Sequence, residues 1–203
     1  DILRHVDIPA DKIRVIPVAV SPQFSFKAKV FDRQCPRILQ VGTKQNKNLA
    51  RLIPALAELP CRLQIIGNLS DEIKKQLAQF KITYDNWANL PLAEVVKKYE
   101  QCDLLAFCST YEGFGMPIVE ANAVGRAVVT SNCASMPEVA GNAACLVNPH
   151  SITSIRNGIR QVINDTEYRN RIITQGISNA KRFDPGVIAK QYLSLYEEIA
   201  IHC

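Results

Sequence analysis

Short apolar runs rich in β-branched residues alternate along this chain with segments of helical period, and this alternation restricts the fold most strongly. Between the first two runs, Leu49, Leu52, Ile53 and Leu56 are spaced as one face of a helix. Such alternation is typical of βαβ units, whose parallel strands are buried on both faces. The runs are RILQVG (37–42), RLQIIG (62–67), DLLAFCS (103–109), RAVVTS (126–131) and ACLVNP (144–149). The sequence therefore predicts an α/β fold with a doubly wound, mostly parallel sheet and helices on both faces.

Helical periodicity also precedes the third run and replaces the strand signals after residue 150. We predict a helix before the third run, one beginning near residue 152, one across 165–182, and a last one after Pro185 and Gly186. The apolar positions of these helices are Leu92, Val95, Val96 and Tyr99, then Ile152, Ile155, Ile159, Val162 and Ile163, then Ile188, Tyr192, Leu195 and Ile199. The stripe from Leu92 to Tyr99 is expected to face the core.

Three segments follow from these patterns. We expect residues 1–30 to be the end of a preceding domain or an interdomain linker with a lead-in strand, residues 31–182 to form a Rossmann-like domain, and residues 183–203 to form a C-terminal helix. The chain begins with Asp1 inside an amphipathic pattern, so we expect it to be part of a longer protein.

Composition excludes several classes of protein. No apolar run approaches the roughly 20 residues of a membrane helix, and no secretory leader opens the chain, so we expect a cytoplasmic domain. The net charge of +5 is dispersed rather than striped with aromatics, which disfavours nucleic acid as a partner. The seven cysteines include no C-x-x-C pair, and the three histidines are scattered, so we expect buried free thiols and no metal site.

Ligands of doubly wound sheets bind outside the carboxyl ends of the strands. The segment STYEGFGMPIVEANAVG, 109–125, follows the third run. Gly113 and Gly115 permit a tight loop, and Pro117 suits the first turn of a helix that begins near Met116. Such a helix start attracts anions, with Glu112 flanking the loop and Glu120 near the end of the first turn.

This segment has simpler and competing interpretations. A glycine turn before a helix with an early Glu is favourable without any ligand. Ile118 stands where a dinucleotide fingerprint needs glycine, and the chain has no G-x-x-x-x-G-K-[ST] sequence. Enzymes that use NAD and P-loop enzymes are therefore disfavoured.

The segment VGTKQNKNLARLIPA, 41–55, runs from the end of the first predicted strand into a helix and contains Gly42, Thr43, Lys44 and Lys47. Lysines near a helix start oppose the helix dipole, so local stability does not explain them. A bound anion would explain them, and a solvated charged turn is the alternative.

Together the two segments resemble the C-terminal domain of glycosyltransferase family 4, whose members have the GT-B fold of two Rossmann-like domains. The resemblance extends from KIRVIPVAV to the last helix. Its most specific motif is a Glu, seven intervening residues and a second Glu, here Glu112 and Glu120 in EGFGMPIVE. The segments VGTKQNKNL, YEQCDLLAFCST and SMPEVAGNAACLVNP accompany it in the family's order.

The resemblance implies roles for individual residues. Lys47 would bind the donor diphosphate, Glu112 the hydroxyls of the transferred sugar, and Glu120 the ribose, with Glu112 and Lys47 as the catalytic pair. The remaining donor-binding positions are Gly42, Thr43, Lys44 and Gly113, backbone amides of Phe114, Gly115 and Met116, the helix start at Ile118 and Val119, and a nucleobase loop from Trp87 to Leu90.

The resemblance also implies a function for the protein. The chain would be the donor-binding half of a retaining enzyme that moves a hexose from a UDP- or GDP-sugar to a glycan or lipid-linked acceptor, in bacterial surface polysaccharide synthesis. The nucleotide sugar is a substrate, and no cofactor is expected. No Asp-x-Asp sequence occurs, so we predict metal independence. A missing N-terminal domain would act on the acceptor, so this fragment would be inactive alone, and peripheral contact with the inner face of the membrane is a further expectation.

The sequence departs from the family at two places. Thr43 and Lys44 stand where many members have Arg after the first glycine, and Val18 and Ala19 replace a common Asn-Gly of the interdomain segment. Two other functions stay open at this point: a nucleotide-sugar epimerase of the same fold, and a non-catalytic module that binds nucleotide sugars.

Overall fold

Six parallel strands in the order β3-β2-β1-β4-β5-β6 form the sheet at the centre of the molecule. The structure is a computed structural model that describes residues 2–201, so Asp1, His202 and Cys203 lie outside it. The strands are β1 (Arg37–Val41), β2 (Arg62–Ile66), β3 (Tyr84–Trp87), β4 (Leu104–Phe107), β5 (Ala127–Ser131) and β6 (Cys145–Val147). The doubly wound parallel sheet predicted from the sequence is confirmed.

Helices connect the strands and cover both faces of the sheet. They are α1 (Leu49–Leu56), α2 (Asp71–Gln79), α3 (Leu92–Gln101), α4 (Met116–Val124), α5 (Met136–Ala140), α6 (Ile152–Asn164), α7 (Thr166–Ala180) and α8 (Pro185–Ile201). Side chains of Ser70, Ser151 and Asp165 cap α2, α6 and α7 by accepting a backbone N–H of the first turn. None of the helices in residues 2–201 is both long and apolar enough to cross a membrane.

Two apolar cores lie on opposite faces of the sheet. One joins α1, α2 and α6 to the sheet, with Leu52, Ile65 and Ile159 fully buried in it. The other joins α3, α4 and α5 to the opposite face, around Phe107 and Val119. Strands buried on both sides require the uninterrupted apolar runs that identified them in the sequence.

The first residues of the described chain differ from their prediction. The lead-in strand expected within residues 1–30 is not formed, and the chain there consists of 3-10 turns at Ile2–Arg4 and Ala10–Lys12 followed by irregular backbone. Val20 N–H donates to the Phe183 carbonyl at 2.9 Å, while the Val20 and Phe24 side chains are buried in the second core. The segment is therefore held by side-chain burial and single hydrogen bonds, not by a strand ladder.

Two further expectations need correction. Leu92 was expected to face the core, but its side chain is 44% exposed because α3 begins there, ahead of the turn that packs on the sheet. Strand β3 was not predicted, because the sequence YDNW lacks an apolar run. Its position at the edge of the sheet explains this composition, since an edge strand is covered less completely than a central one.

The cysteines are free, as predicted, among the described residues. Cys61, Cys102, Cys108 and Cys145 are buried, and burial raises the pKa of Cys102 and Cys108 to about 12. Cys35 differs because it is exposed. The buried thiols are protonated at neutral pH and act as apolar core residues.

Arg126 ties the ends of two helices together inside the protein. Its guanidinium donates to the carbonyls of Tyr99 and Glu100 in the last turn of α3, and to those of Val124 and Gly125 at the end of α4. A fifth bond reaches the carbonyl of Lys27. A cation at two helix C-termini is favoured by both dipoles, so this buried side chain is an anchor of the second core.

Replacing Arg126 with Met should therefore destabilise the fold by about 3 kcal/mol, because buried carbonyls lose charged donors while the apolar stem is kept. Urea unfolding followed by circular dichroism measures the change. The matched control is Arg160→Met, which removes an exposed guanidinium of α6 and should alter the free energy of unfolding by less than about 0.5 kcal/mol. Equal losses in both variants would contradict the anchoring role.

Candidate functional site

The strand order reverses between β1 and β4, which are neighbours in the sheet but not in the sequence. The chain leaves β1 for α1 on one face and leaves β4 for α4 on the other. Such a reversal opens a crevice at the carboxyl ends of the two strands. The two segments that the sequence selected, 41–55 and 109–125, begin at this crevice, where residues 42–48 and 108–115 form the loops after β1 and β4.

Asparagines of the first segment fasten it to the second. The Asn46 side-chain amide donates to the Tyr111 carbonyl at 3.0 Å and to Glu112 Oε1 at 3.2 Å, and the Asn46 carbonyl accepts the Thr110 N–H at 2.8 Å. The Asn48 side chain is buried and donates to the carbonyls of Cys108 and Pro149. The two loops therefore form one hydrogen-bonded unit.

Lys47 and Glu112 form an ion pair in the crevice. Lys47 Nζ lies 2.6 Å from Glu112 Oε1 and 4.6 Å from the centre of the Phe107 ring. The side chains of the pair are only 18% and 14% exposed. Two residues that are 65 positions apart in the sequence thus meet, and the carboxylate compensates the partly buried ammonium.

Gly42 makes room for the Lys47 side chain. Its φ is +86°, and a Cβ placed on it would lie 2.9 Å from Lys47 Cε. Its neighbour Thr43 donates its hydroxyl to the Asn68 carbonyl at 2.6 Å, and Lys44 is exposed at the start of a 3-10 turn, Gln45–Lys47. Of these predicted donor-binding residues, Lys47 is the one that the structure brings to Glu112.

The glycine loop leads into α4 as predicted. Gly115, with φ of +107°, is the residue before the first turn, and α4 begins at Met116 with Pro117 in that turn. The Ser135 hydroxyl donates to the carbonyls of Glu112 and Phe114, at 3.0 and 2.7 Å, and so fixes the loop around the exposed Gly113.

Ile118 and Val119, predicted to lie at the phosphate-facing start of α4, are in the first turns of that helix. The Ile118 N–H donates to the Gly115 carbonyl at 2.9 Å, and the side chains of Ile118 and Val119 are buried in the second core. These two side chains pack the helix on the sheet, and the predicted contact of the helix start with phosphates stays a prediction.

The carboxylate of Glu120, a residue of α4, is hydrogen-bonded to a buried tyrosine. The Tyr99 hydroxyl donates to Glu120 Oε2 at 2.5 Å. Burial raises the pKa of Glu120, while the hydrogen bond from Tyr99 and the positive charge of Lys47 act in the opposite direction. Lys47 therefore interacts electrostatically with both carboxylates of the Glu112–Glu120 motif.

Trp87 and Leu90 lie at the same edge of the sheet but further along it. Trp87 is the last residue of β3, which β2 separates from β1, and Leu90 follows in the connection to α3. The Lys98 ammonium lies over the Trp87 ring, 3.7 Å from its centre. Among the described contacts, none joins this pair to Lys47 or to either glutamate.

Sequence reasoning missed three residues that position the site. Tyr99 was assigned to an apolar helix stripe, and Asn46 and Ser135 lay within recognised segments but were given no role. Their donor groups could have been suspected only once the loops they bridge were known to be adjacent. The residue types themselves, Asn, Ser and Tyr, carry hydroxyls or amides that need partners when buried.

The arrangement offers three chemical functions in one crevice. A lysine and the start of α4 favour an anion, and two carboxylates accept hydrogen bonds from hydroxyl groups. Within residues 2–201, no three His, Cys, Asp or Glu side chains are grouped as they would be around a metal ion. The metal independence expected from the sequence stays a prediction.

Known proteins share this sequence pattern and this architecture. The chain is 27% identical to the O-antigen chain mannosyltransferase B of Escherichia coli, over 97% of this chain and 57% of the relative. Sucrose-phosphate synthase from Thermosynechococcus elongatus superposes with a TM-score of 0.81 at 18% identity, over 94% of this chain and 53% of the other. The structure of Anabaena HepE in complex with UDP-glucose superposes with a TM-score of 0.73 at 22% identity, over 81% and 49% of the two chains.

The chain thus spans about half the length of these three proteins. The family described as glycosyl transferases group 1 matches residues 23–179, which include both crevice segments and all six strands. On this match, the chain belongs to the group 1 glycosyl transferases.

Proposed function

We propose that this chain binds the nucleotide-sugar donor of a retaining glycosyltransferase. The observation that carries the proposal is the ion pair of Lys47 with Glu112 beside the start of α4, at the crevice between β1 and β4. Together with Glu120, this pair and the helix start offer a cation, a helix dipole and two carboxylates, the groups that a diphosphate with two hydroxylated rings requires.

Lys47 would bind the diphosphate. In the free protein its charge is compensated by Glu112, so binding requires the ammonium to exchange or share this carboxylate with phosphate oxygens. The start of α4 supplies a second favourable electrostatic contribution without a side-chain charge. Developing negative charge on the departing diphosphate would be stabilised by these preorganised groups.

Glu112 and Glu120 would bind hydroxyl groups of the sugar and of the ribose. Glu112 lies in the loop that enters α4, and Glu120 lies one helical turn along it. Carboxylates that accept hydrogen bonds from hydroxyls need no protonation change, so neither residue has to act as an acid or base.

In the proposed reaction, the bond between the sugar anomeric carbon and the diphosphate oxygen breaks, and the acceptor oxygen bonds to the same carbon on the same face. The acceptor hydroxyl gives its proton to the departing phosphate oxygen, so atoms and charges balance. The transition state resembles an oxocarbenium ion, and anomeric configuration is retained. Residues that orient the acceptor would come from outside this chain.

The similar proteins suggest which donors to test first. One is named a mannosyltransferase of O-antigen chains, and another was solved with UDP-glucose. We propose a hexose donor with UDP or GDP as the nucleotide, and a glycan or lipid-linked acceptor of bacterial surface polysaccharide, used at the cytoplasmic side of the membrane. No cofactor is part of this proposal.

Calorimetric titration with UDP, GDP, ADP and their glucose and mannose conjugates tests the donor site. Lys47→Ala should weaken binding of the preferred nucleotide by roughly 10- to 100-fold, because a charge-assisted contact is worth about 1.5–3 kcal/mol. The matched control is Lys97→Ala, which removes the same charge from an exposed side chain on α3 and should leave affinity unchanged. Equal affinity in the wild type and Lys47→Ala would refute the assignment.

Removal of divalent metal ions tests the second part of the proposal. Addition of EDTA should change the affinity for the nucleotide sugar by less than twofold, since Lys47 and the helix start replace a metal ion in the proposed site. A large loss on EDTA addition that is restored by Mg²⁺ or Mn²⁺ would show that a metal completes the site.

Product analysis distinguishes the proposed function from its rivals. With a radiolabelled sugar donor, a protein that contains this chain and its acceptor-binding part should transfer label to an acceptor with retained configuration. Label recovered on an epimerised sugar would favour an epimerase, and tightly bound but unchanged donor would favour a binding module.

A further inference from the structure

We propose that Tyr99 is a positioning residue that orients the Glu120 carboxylate toward the ribose of the bound nucleotide. The proposal rests on the proposed function, in which Glu120 binds the ribose. Tyr99 itself touches no ligand in this proposal and acts only through Glu120.

The contact between the two residues is specific. The Tyr99 side chain is fully buried, and its hydroxyl donates to Glu120 Oε2 at 2.5 Å. Glu120 is half-buried on the adjacent helix α4. Its two oxygens differ because Oε2 accepts the Tyr99 hydroxyl. With Oε2 occupied from inside the protein, the carboxylate keeps its other oxygen as the acceptor for a ligand hydroxyl.

Tyr99 is itself immobilised from two sides. Arg126 Nε donates to the Tyr99 carbonyl at 3.0 Å, which fixes the backbone at the end of α3. The ring packs edge-to-face on Phe24, with centroids 5.3 Å apart and planes at 85°. The hydroxyl therefore has a fixed position, and the flexible partner of the hydrogen bond, Glu120, adapts to it.

The hydrogen bond also favours the ionised form of Glu120. Burial raises the pKa of this carboxyl, whereas the Tyr99 hydroxyl and the charge of Lys47 both lower it. Loss of the Tyr99 hydroxyl removes one of the two lowering effects, so the pKa rises further. Binding that needs the carboxylate would then be lost at a higher pH during acidification.

Tyr99→Phe is the test variant, because it keeps the ring packing and deletes only the hydroxyl. Calorimetry compares UDP or GDP, whichever binds, with its 2′,3′-dideoxy counterpart, which lacks both ribose hydroxyls. We expect Tyr99→Phe to weaken binding of the ribonucleotide on the order of tenfold and to leave binding of the dideoxynucleotide unchanged. The acid limb of ribonucleotide binding should also move to higher pH.

Two controls separate positioning from general stability. Tyr196→Phe removes a hydroxyl from an exposed tyrosine of α8 and should change neither affinity. In a Glu120→Ala background, Tyr99→Phe should have no further effect on the ratio of the two affinities. If Tyr99→Phe folds poorly, the wild-type chain with ¹³Cζ-labelled tyrosine serves instead: the Tyr99 signal should shift with the ribonucleotide and not with the dideoxynucleotide.

The outcomes are distinguishable. A wild type that binds neither nucleotide, or binds both equally, overturns the proposed role of Glu120 and this inference with it. A wild type that prefers the ribonucleotide, combined with a Tyr99→Phe variant that keeps the same preference, leaves the proposed function intact and overturns the positioning role. An equal response of the Tyr99 signal to both nucleotides would also overturn the positioning role.

Discussion

The site depends on the parallel pairing of β1 with β4, the two strands between which the sheet reverses its order. This pairing places the loop after Val41 beside the loop after Phe107, although the two are more than sixty residues apart. Asn46 and Asn48 then replace loop flexibility with hydrogen bonds between the two segments. Because the loops are fixed before any ligand arrives, little ordering entropy remains to oppose binding.

The charges in the crevice bear on which ligand the proposed site would accept. Lys47 interacts with both Glu112 and Glu120, so one ammonium group faces two carboxyl groups. A bare diphosphate would meet both carboxylates without offering them a hydrogen-bond donor. A nucleotide sugar carries hydroxyl groups next to the diphosphate, and these hydroxyls can pair with the carboxylates while Lys47 faces phosphate. If the proposed function holds, the arrangement would favour the complete donor over its anionic part.

Sequence alone was sufficient for those elements whose physical signal is local. Buried central strands need continuous apolar runs. The run that contains Leu104 identified β4, and the run that contains Val128 identified β5. Strand β3 has no such signal, because the edge strand Tyr84–Trp87 has two polar residues, Asp85 and Asn86, at its centre. The irregular backbone of residues 13–30 could not be predicted from local sequence either, because Val20 and Phe24 are fixed by packing against distant parts of the second core.

The same distinction separates the site residues that were found from those that were missed. Lys47, Glu112 and Glu120 were recognised through a motif and a rule about strand ends, whereas Tyr99 is indistinguishable by periodicity from an apolar core residue. Its role follows only from a three-part connection: Arg126 fixes the end of α3, α3 carries Tyr99, and Tyr99 holds Glu120. Since Arg126 also binds the end of α4, which carries Glu120, one buried cation sets the distance between both partners of this hydrogen bond. Arg126 thus contributes both to the stability of the second core and to the relative position of α3 and α4.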